Sequence, residues 1–434
     1  MNDKHHNKLA VYSFLAKSSK LIIAPLSLTF ISQYLNEIEL GFYYTFLSFA
    51  SMQMLLEAGM AHSLRQYISH AYKLESGEWS KESKIKISKY YSFSIIWFLI
   101  ISILLAALMY FVSLKYYGGS EQNVEWKYPF YLLILSVFLS TILMPLMILL
   151  EGIQRQVVLY KCQAVGSFFS GLILCILLLY DFKLYSLGGS MLGGTIITIF
   201  LIIITGNSDT NKLIEILSFH EYKSIFFELF ELLSKVSVVW VVGYFFWNSV
   251  TLISFKLLDS EMAGRIGFTF AISKAIMNIC YSLLQGQYTN FSNNISNNLD
   301  VDNKFRRYQL IVSIFVFLSF LLLVIATMFF ERFVIINRLV DALTMTQIGI
   351  YFFVLTMLTG LNDFVRCYKV EPFMFASILR AILIVSVFYI GCKYNYEYTF
   401  FIMSLVLASF YLWSEKVLKK IKKQFNCNVR VNND

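Results

Sequence analysis

The chain has 434 residues, of which 58% are hydrophobic, 17% aromatic and only 15% charged. Soluble domains carry about 25% charged residues, so this composition excludes an ordinary soluble enzyme and points to an all-α integral membrane protein. The formal net charge of +9 does not imply a nucleic-acid partner, because the lysines and arginines gather at the ends of apolar runs, where they signal membrane topology.

Twelve apolar segments follow in order, at about 9–34, 40–71, 88–112, 128–150, 156–180, 184–205, 225–258, 262–290, 306–330, 344–366, 371–392 and 398–418. Each is long enough to cross a hydrocarbon core of ~30 Å at ~1.5 Å per residue. Continuous runs of this length predict helices, since barrel strands alternate over about ten residues. Met1–Lys8 is polar, and no cleavable signal peptide is expected.

One set of segment ends carries Lys4, Lys8, the Lys73–Lys89 cluster, Arg155, Lys161, Lys212, Lys223, Lys304, Arg306, Arg307, Arg366, Lys369 and the basic tail from Lys416. The other set holds only Lys115, Lys127, Lys183, Lys256, Arg332, Arg338 and Lys393. The positive-inside rule therefore predicts cytoplasmic termini. Tyrosines and Trp126 at segment ends read as interfacial anchors.

The polar stretch Gly206–Lys223 divides the pattern. The expected organisation is an N-terminal six-helix bundle over 1–205, a cytoplasmic linker over 206–224, a C-terminal bundle over 225–418 and a basic tail over 419–434. Within the linker, Leu213, Ile216, Leu217 and Phe219 predict a short amphipathic helix on the membrane surface. The Ser-Lys pairs of Leu15–Lys20 and Leu232–Val236 suggest two related halves, a common transporter plan.

Charged residues deep in apolar segments are the candidate site. Even lenient insertion scales charge ~2.5–3.5 kcal/mol for one at the bilayer centre, so they are expected to face a cavity or a partner. Lys20, Lys235, Lys274 and Arg380 lie near mid-depth in the first, seventh, eighth and eleventh segments and are read as walls of a cationic cavity. Arg65 and Arg265 join the candidates, with snorkelling or a buried ion pair as the alternatives for Arg265. Glu57 is read either as a proton-coupling carboxylate or as the ion-pair partner of Lys20. Glu231 and Lys235 are spaced to neutralise one another. His62 is read as a hydrogen-bonded histidine rather than a proton relay.

In the sixth segment Gly189, Gly193, Ser190 and Gly194 form small-xxx-small pairs that predict close helix packing, and Pro25 and Pro145 predict kinks. The six cysteines show neither CxxC nor a ligand spacing, so no metal and no cofactor is expected. Nor is there a Walker-type loop, a GxSxG or an HExxH, and the chain is read as a transporter, not an enzyme.

Several local features resemble a known family: Glu57-Ala-Gly with Arg65, the turn Glu151-Gly152-Ile153-Gln154-Arg155, and Gly264-Arg265-Ile266-Gly267-Phe268 opening the eighth segment. With the chain's size and twelve-segment topology, they resemble the Wzx-type polysaccharide flippases of the multidrug/oligosaccharidyl-lipid/polysaccharide exporter superfamily. That resemblance implies twelve transmembrane helices in two pseudo-symmetric bundles forming a V around a central cationic cavity. It also implies a flippase in a bacterial inner membrane, moving an undecaprenyl-pyrophosphate-linked oligosaccharide such as an O-antigen repeat unit, as in lipopolysaccharide biosynthesis. Partners on this reading are membrane lipids, a polymerase, a chain-length regulator and an H+ or Na+ counter-ion. The alternative is a multidrug exporter of the same superfamily, whose cationic substrates favour an acidic cavity. A membrane polymerase or ligase would need a large outer loop, whereas the longest here is Tyr116–Tyr128.

Overall fold

The structure is a computed structural model. It describes residues 23, 25–57, 59–75, 78–118, 124–205, 213–285, 287–296, 301–330, 332–368, 370–394 and 396–431, without the side chains of 74, 75, 78, 231, 232, 235, 236, 289, 290, 293, 296 and 424–431. Apart from a two-residue antiparallel pair, β1 (Leu74–Glu75) and β2 (Glu78–Trp79), its regular elements are helices. Among the described residues, ten helices are long and apolar enough to span a membrane.

The first apolar segment is described only at residue 23 and in α1 (25–34). The second differs from the expected continuous helix. It is three helices in succession: α2 (Glu37–Ala50), α3 (Met52–Glu57) and α4 (Met60–Ala71). Asn36 opens α2 with a reciprocal cap, accepting from the Glu39 amide at 2.8 Å and donating its own amide to the Glu39 carboxylate at 2.9 Å. Gly59 causes the last interruption: its φ of 81° lies in the left-handed region, which glycine adopts without a Cβ penalty and which ends a right-handed ladder.

Four long helices follow: α5 (Lys81–Tyr117), α6 (Lys127–Gly152), α7 (Gln156–Leu179) and α8 (Tyr185–Thr205). The small residues of α8 act as expected. A Cβ on Gly188 would lie 2.8 Å from the Leu133 backbone nitrogen of α6, and one on Gly194 would lie 2.7 Å from the Ser170 Cβ of α7. Backbones this close exclude larger side chains. Pro145 lies inside α6.

The expected amphipathic linker helix is not seen among the described residues 213–218. Residues 214–218 have no regular structure, and Phe219 opens α9 (Phe219–Leu257). Their backbone polar groups find side chains instead: Ser88 Oγ donates to the Leu213 carbonyl, and Ser92 Oγ accepts from the Glu215 amide at 2.8 Å. Two serines one turn apart on α5 thus strap an extended linker and remove the need for helical hydrogen bonds.

Two compact units divide within α9, between Tyr244 and Phe245, rather than ahead of the seventh segment as expected. The N-terminal two thirds of α9 belong to the first unit for visible reasons. Tyr67 donates to the Glu228 carbonyl at 2.9 Å, Tyr90 to the Glu228 carboxylate at 2.7 Å, and Lys89 pairs with Glu221 at 2.9 Å.

The second unit contains the end of α9, then α10 (Ser260–Gln285), α11 (Tyr288–Ser296), α12 (Asp302–Phe329), α13 (Val334–Asn337), α14 (Ala342–Arg366), α15 (Met374–Tyr394) and α16 (Thr399–Val431). Its core is α14, which packs against α10, α12 and α16 and whose most apolar stretch is 72% buried, against 17% in α15. Phe305 and Phe364 stack at 3.9 Å between ring centres, and Arg306 holds Glu415 of α16 through two bonds of 2.5 and 2.8 Å.

Candidate functional site

The candidate site is built by four helices of the second unit. Phe246 and Trp247 are consecutive on α9, so their side chains diverge while their rings meet edge to face at 5.1 Å. Lys274 of α10 places Nζ 4.5 Å from the centre of the Trp247 ring. Arg380 of α15 places its guanidinium carbon 5.0 Å from the centre of the Phe246 ring. Tyr351 of α14 is close enough to Arg380 for the two to interact electrostatically.

The circuit closes through α10. Phe270 lies one turn before Lys274, on the same helix face, and its ring sits 6.2 Å from that of Tyr351. Trp247, Lys274, Phe270, Tyr351, Arg380 and Phe246 are therefore neighbours in a ring drawn from α9, α10, α14 and α15, joined by four ring contacts, by helix spacing between Phe270 and Lys274, and by electrostatic proximity between Tyr351 and Arg380. Phe246 and Tyr351 are buried, Arg380 is half-buried and Lys274 is exposed.

Neither cation meets a carboxylate among the described residues. Both rest on aromatic faces, whose quadrupole attracts a cation without neutralising it. Arg380 keeps a buried Nε without a hydrogen-bond partner. Two uncompensated positive charges on adjacent rings, with donors to spare, form a place for an anion.

The other predicted site residues fare differently. Arg65 is not a free cation: its Nε pairs with the largely buried Glu151 at the end of α6. Arg265 is paired one turn back with Glu261 at 3.3 Å, near the start of α10. Both are therefore ion-pair members, and a partly neutralised guanidinium offers a ligand less field than an unpaired one. Glu57 is buried at the end of α3 and accepts a 2.6 Å bond from Gln53 Nε2, one turn earlier. Ser140 of α6 donates to the Gln53 carbonyl oxygen at 3.5 Å. His62 shares a 3.0 Å hydrogen bond with Gln66, one turn on.

Lys20 lies outside the described residues, and with it the suggested Lys20–Glu57 pair. Glu231 and Lys235 lie on α9, but their side chains are also outside the described set.

Depth arguments from the sequence locate Lys274 and Arg380 but miss Phe246, Trp247, Phe270 and Tyr351, because aromatics abound in this chain. Two signals were present: an adjacent Phe-Trp pair in mid-span, and an aromatic exactly one helical turn before a deep lysine. Glu151 and Arg65 were each visible singly, and only folding joins them.

No protein-family model and no curated protein matches the chain. Its backbone is similar to the inward-facing conformation of a multidrug resistance MATE family transporter of the MOP superfamily, with a TM-score of 0.61 and 12% identity over 95% of this chain and 99% of that one. It is also similar to the lipid II flippase MurJ in an inward closed conformation, with a TM-score of 0.66 and 14% identity over 97% of this chain and 91% of that one. At such identities the likeness is one of fold. The chain has the fold of MOP-superfamily transporters and is a multi-pass membrane protein.

Proposed function

We propose that the protein is a flippase for an undecaprenyl-pyrophosphate-linked oligosaccharide, an O-antigen unit or one like it. It moves this substrate by alternating access from the cytoplasmic to the periplasmic leaflet of a bacterial inner membrane, with both termini cytoplasmic. The observation that carries the reading is the pair Lys274 and Arg380, uncompensated by any described carboxylate and seated on adjoining aromatic rings.

A pyrophosphate and its sugars cross hydrocarbon only at great cost, so a carrier must offer charge compensation within the span. Lys274, exposed at its site, supplies a mobile point charge, while Arg380 supplies a planar fork of donors. The aromatic faces around them suit the apolar faces of sugar rings. Lys20 and Lys235 are assigned to the same task on depth alone. The similarity to the lipid II flippase MurJ is compatible with a lipid-linked substrate. The multidrug alternative fits less well, because two free cations repel a cationic drug.

Outward movement of negative charge against an inside-negative potential is downhill by about 2.3 kcal/mol per charge per 100 mV. The membrane potential is therefore the proposed drive, with H+ or Na+ exchange through Glu57 as an addition. The test is flipping of a lipid-linked pyrophosphate oligosaccharide in proteoliposomes. Lys274→Ala and Arg380→Ala should each lower the rate roughly tenfold to a hundredfold at equal protein level, the range expected for a lost charged hydrogen bond. Wild-type rates from the double variant would overturn the assignment, and indifference to an imposed potential would overturn the proposed drive.

A further inference from the structure

A second cationic feature lies away from this ring, between α11 and α12. A cleft of about 630 Å³ is lined by Gln287, Phe291, Asn294, Lys304, Arg307, Tyr308 and Ile311. Lys304 and Arg307 stand about one turn apart on α12, both exposed, and neither meets a carboxylate among the described residues. Their neighbours on the same helix contrast with them: Arg306 is tied to Glu415, and Asp302 to Lys422 of α16. One side of the α12 start is thus locked by ion pairs, while the other presents two free cations to a cleft.

The cleft is also lined by packed aromatic rings. Phe291 at its base packs against Tyr308 at 6.3 Å and Phe364 at 5.7 Å between ring centres. The stripe that carries Lys304 and Arg307 continues along α12 through Ile311 to Ile314, Phe315 and Leu318, of which the last three are exposed and apolar. A single face of α12 therefore runs from positive charge onto an apolar lane long enough for a hydrocarbon chain, while Gln287 and Asn294 line the cleft from the other side. That gradient matches an amphiphile with an anionic head, whereas a free anion has no use for the lane.

We propose that the cleft between α11 and α12 binds the phosphate of an acidic phospholipid, held by Lys304 and Arg307, with an acyl chain along the exposed face of α12. Arg307 offers paired donors to the phosphodiester, Lys304 adds a point charge, and Gln287 and Asn294 face the remaining headgroup oxygens. The site is separate from Lys274 and Arg380 and does not depend on what those residues carry.

The test uses the purified full-length protein in detergent, with phosphatidylglycerol and phosphatidylcholine titrated in turn and bound lipid read by native mass spectrometry. Phosphatidylglycerol should bind preferentially, and Lys304→Ala and Arg307→Ala should each weaken it about fivefold, the usual effect of one basic residue at an anionic membrane surface. Lys304→Arg, which keeps the charge, should retain binding and guards against a folding defect. The pair Lys416→Ala and Lys420→Ala, exposed on α16, removes equal charge elsewhere and should change nothing. Equal weakening by the combined Lys304→Ala and Arg307→Ala variant and by the α16 control pair would mean unspecific surface charge and overturn the proposal. Displacement of the lipid by an equal concentration of inorganic phosphate would make this a free-phosphate site and overturn it as well.

Discussion

Arg380 lies over Phe246 at 5.0 Å, half-buried, with its Nε unbonded and no described carboxylate beside it. A guanidinium in that position is anchored by an aromatic face and by the nearby Tyr351, yet its charge stays available. Lys274 over Trp247 repeats the arrangement one residue along α9. The consequence is that the aromatic residues set where the two charges sit, while neither charge meets a carboxylate among the described residues.

The platform can be tested apart from the cations. Trp247→Leu should reduce apparent affinity for the lipid-linked substrate about fivefold, in line with a cation–π contact of ~1 kcal/mol. Trp247→Phe should keep most of it. Concentration dependence of flipping in proteoliposomes measures both, and identical affinities for the leucine and phenylalanine variants would remove the platform from the account.

Glu57 is buried and bonded to Gln53, at a break in the helix before Gly59. Glu57→Gln keeps the shape and hydrogen-bonding reach while removing the titratable proton. Flipping driven by an imposed potential should persist in this variant, and any extra rate produced by a proton gradient should disappear. Rates recorded with each gradient imposed separately distinguish the two; an undiminished proton-gradient response would clear Glu57 of coupling.

The Arg65–Glu151 pair predicts a change in stability. The two side chains are 42% and 14% exposed, so Arg65→Ala leaves a mostly buried carboxylate without its partner. The expected cost is about 1–2 kcal/mol, below the 3–5 typical of fully buried pairs because Arg65 is partly solvated. The double replacement Arg65→Met with Glu151→Met should recover most of it. Thermal unfolding midpoints in detergent report this, and transport per folded molecule should stay within about twofold.

Acid should loosen the start of α9. The Glu221 carboxyl is lowered to about 2 from its ordinary 4.5 by the bond from Lys89, with the Ser218 amide and hydroxyl adding to it. A depressed folded-state value means that the stabilisation is present above the ordinary value and is lost as pH falls from about 4.5 toward 2. Wild type should therefore exceed Glu221→Gln in thermal midpoint near neutrality, at low salt, and converge with it near pH 2. A gap that persists at that pH would exclude this origin.

Sequence alone determined the class of molecule and the ten span-length apolar helices seen among the described residues, and it singled out Lys274 and Arg380 as charges within such helices. Lipid acts on each residue by its own depth and polarity, so these properties are written locally and can be read locally. Tertiary structure decided which charges survive. Arg65 and Glu151 are distant in sequence and neutralise each other in space, whereas Lys274 and Arg380 meet rings from α9 instead of acids. It also decided that Leu213 and Glu215 would bond to two serine hydroxyls of α5 rather than coil into a helix, and that the unit boundary would fall within α9. Each of these outcomes is a choice among partners that pattern and propensity leave equal, made only when packing brings particular side chains within bonding distance.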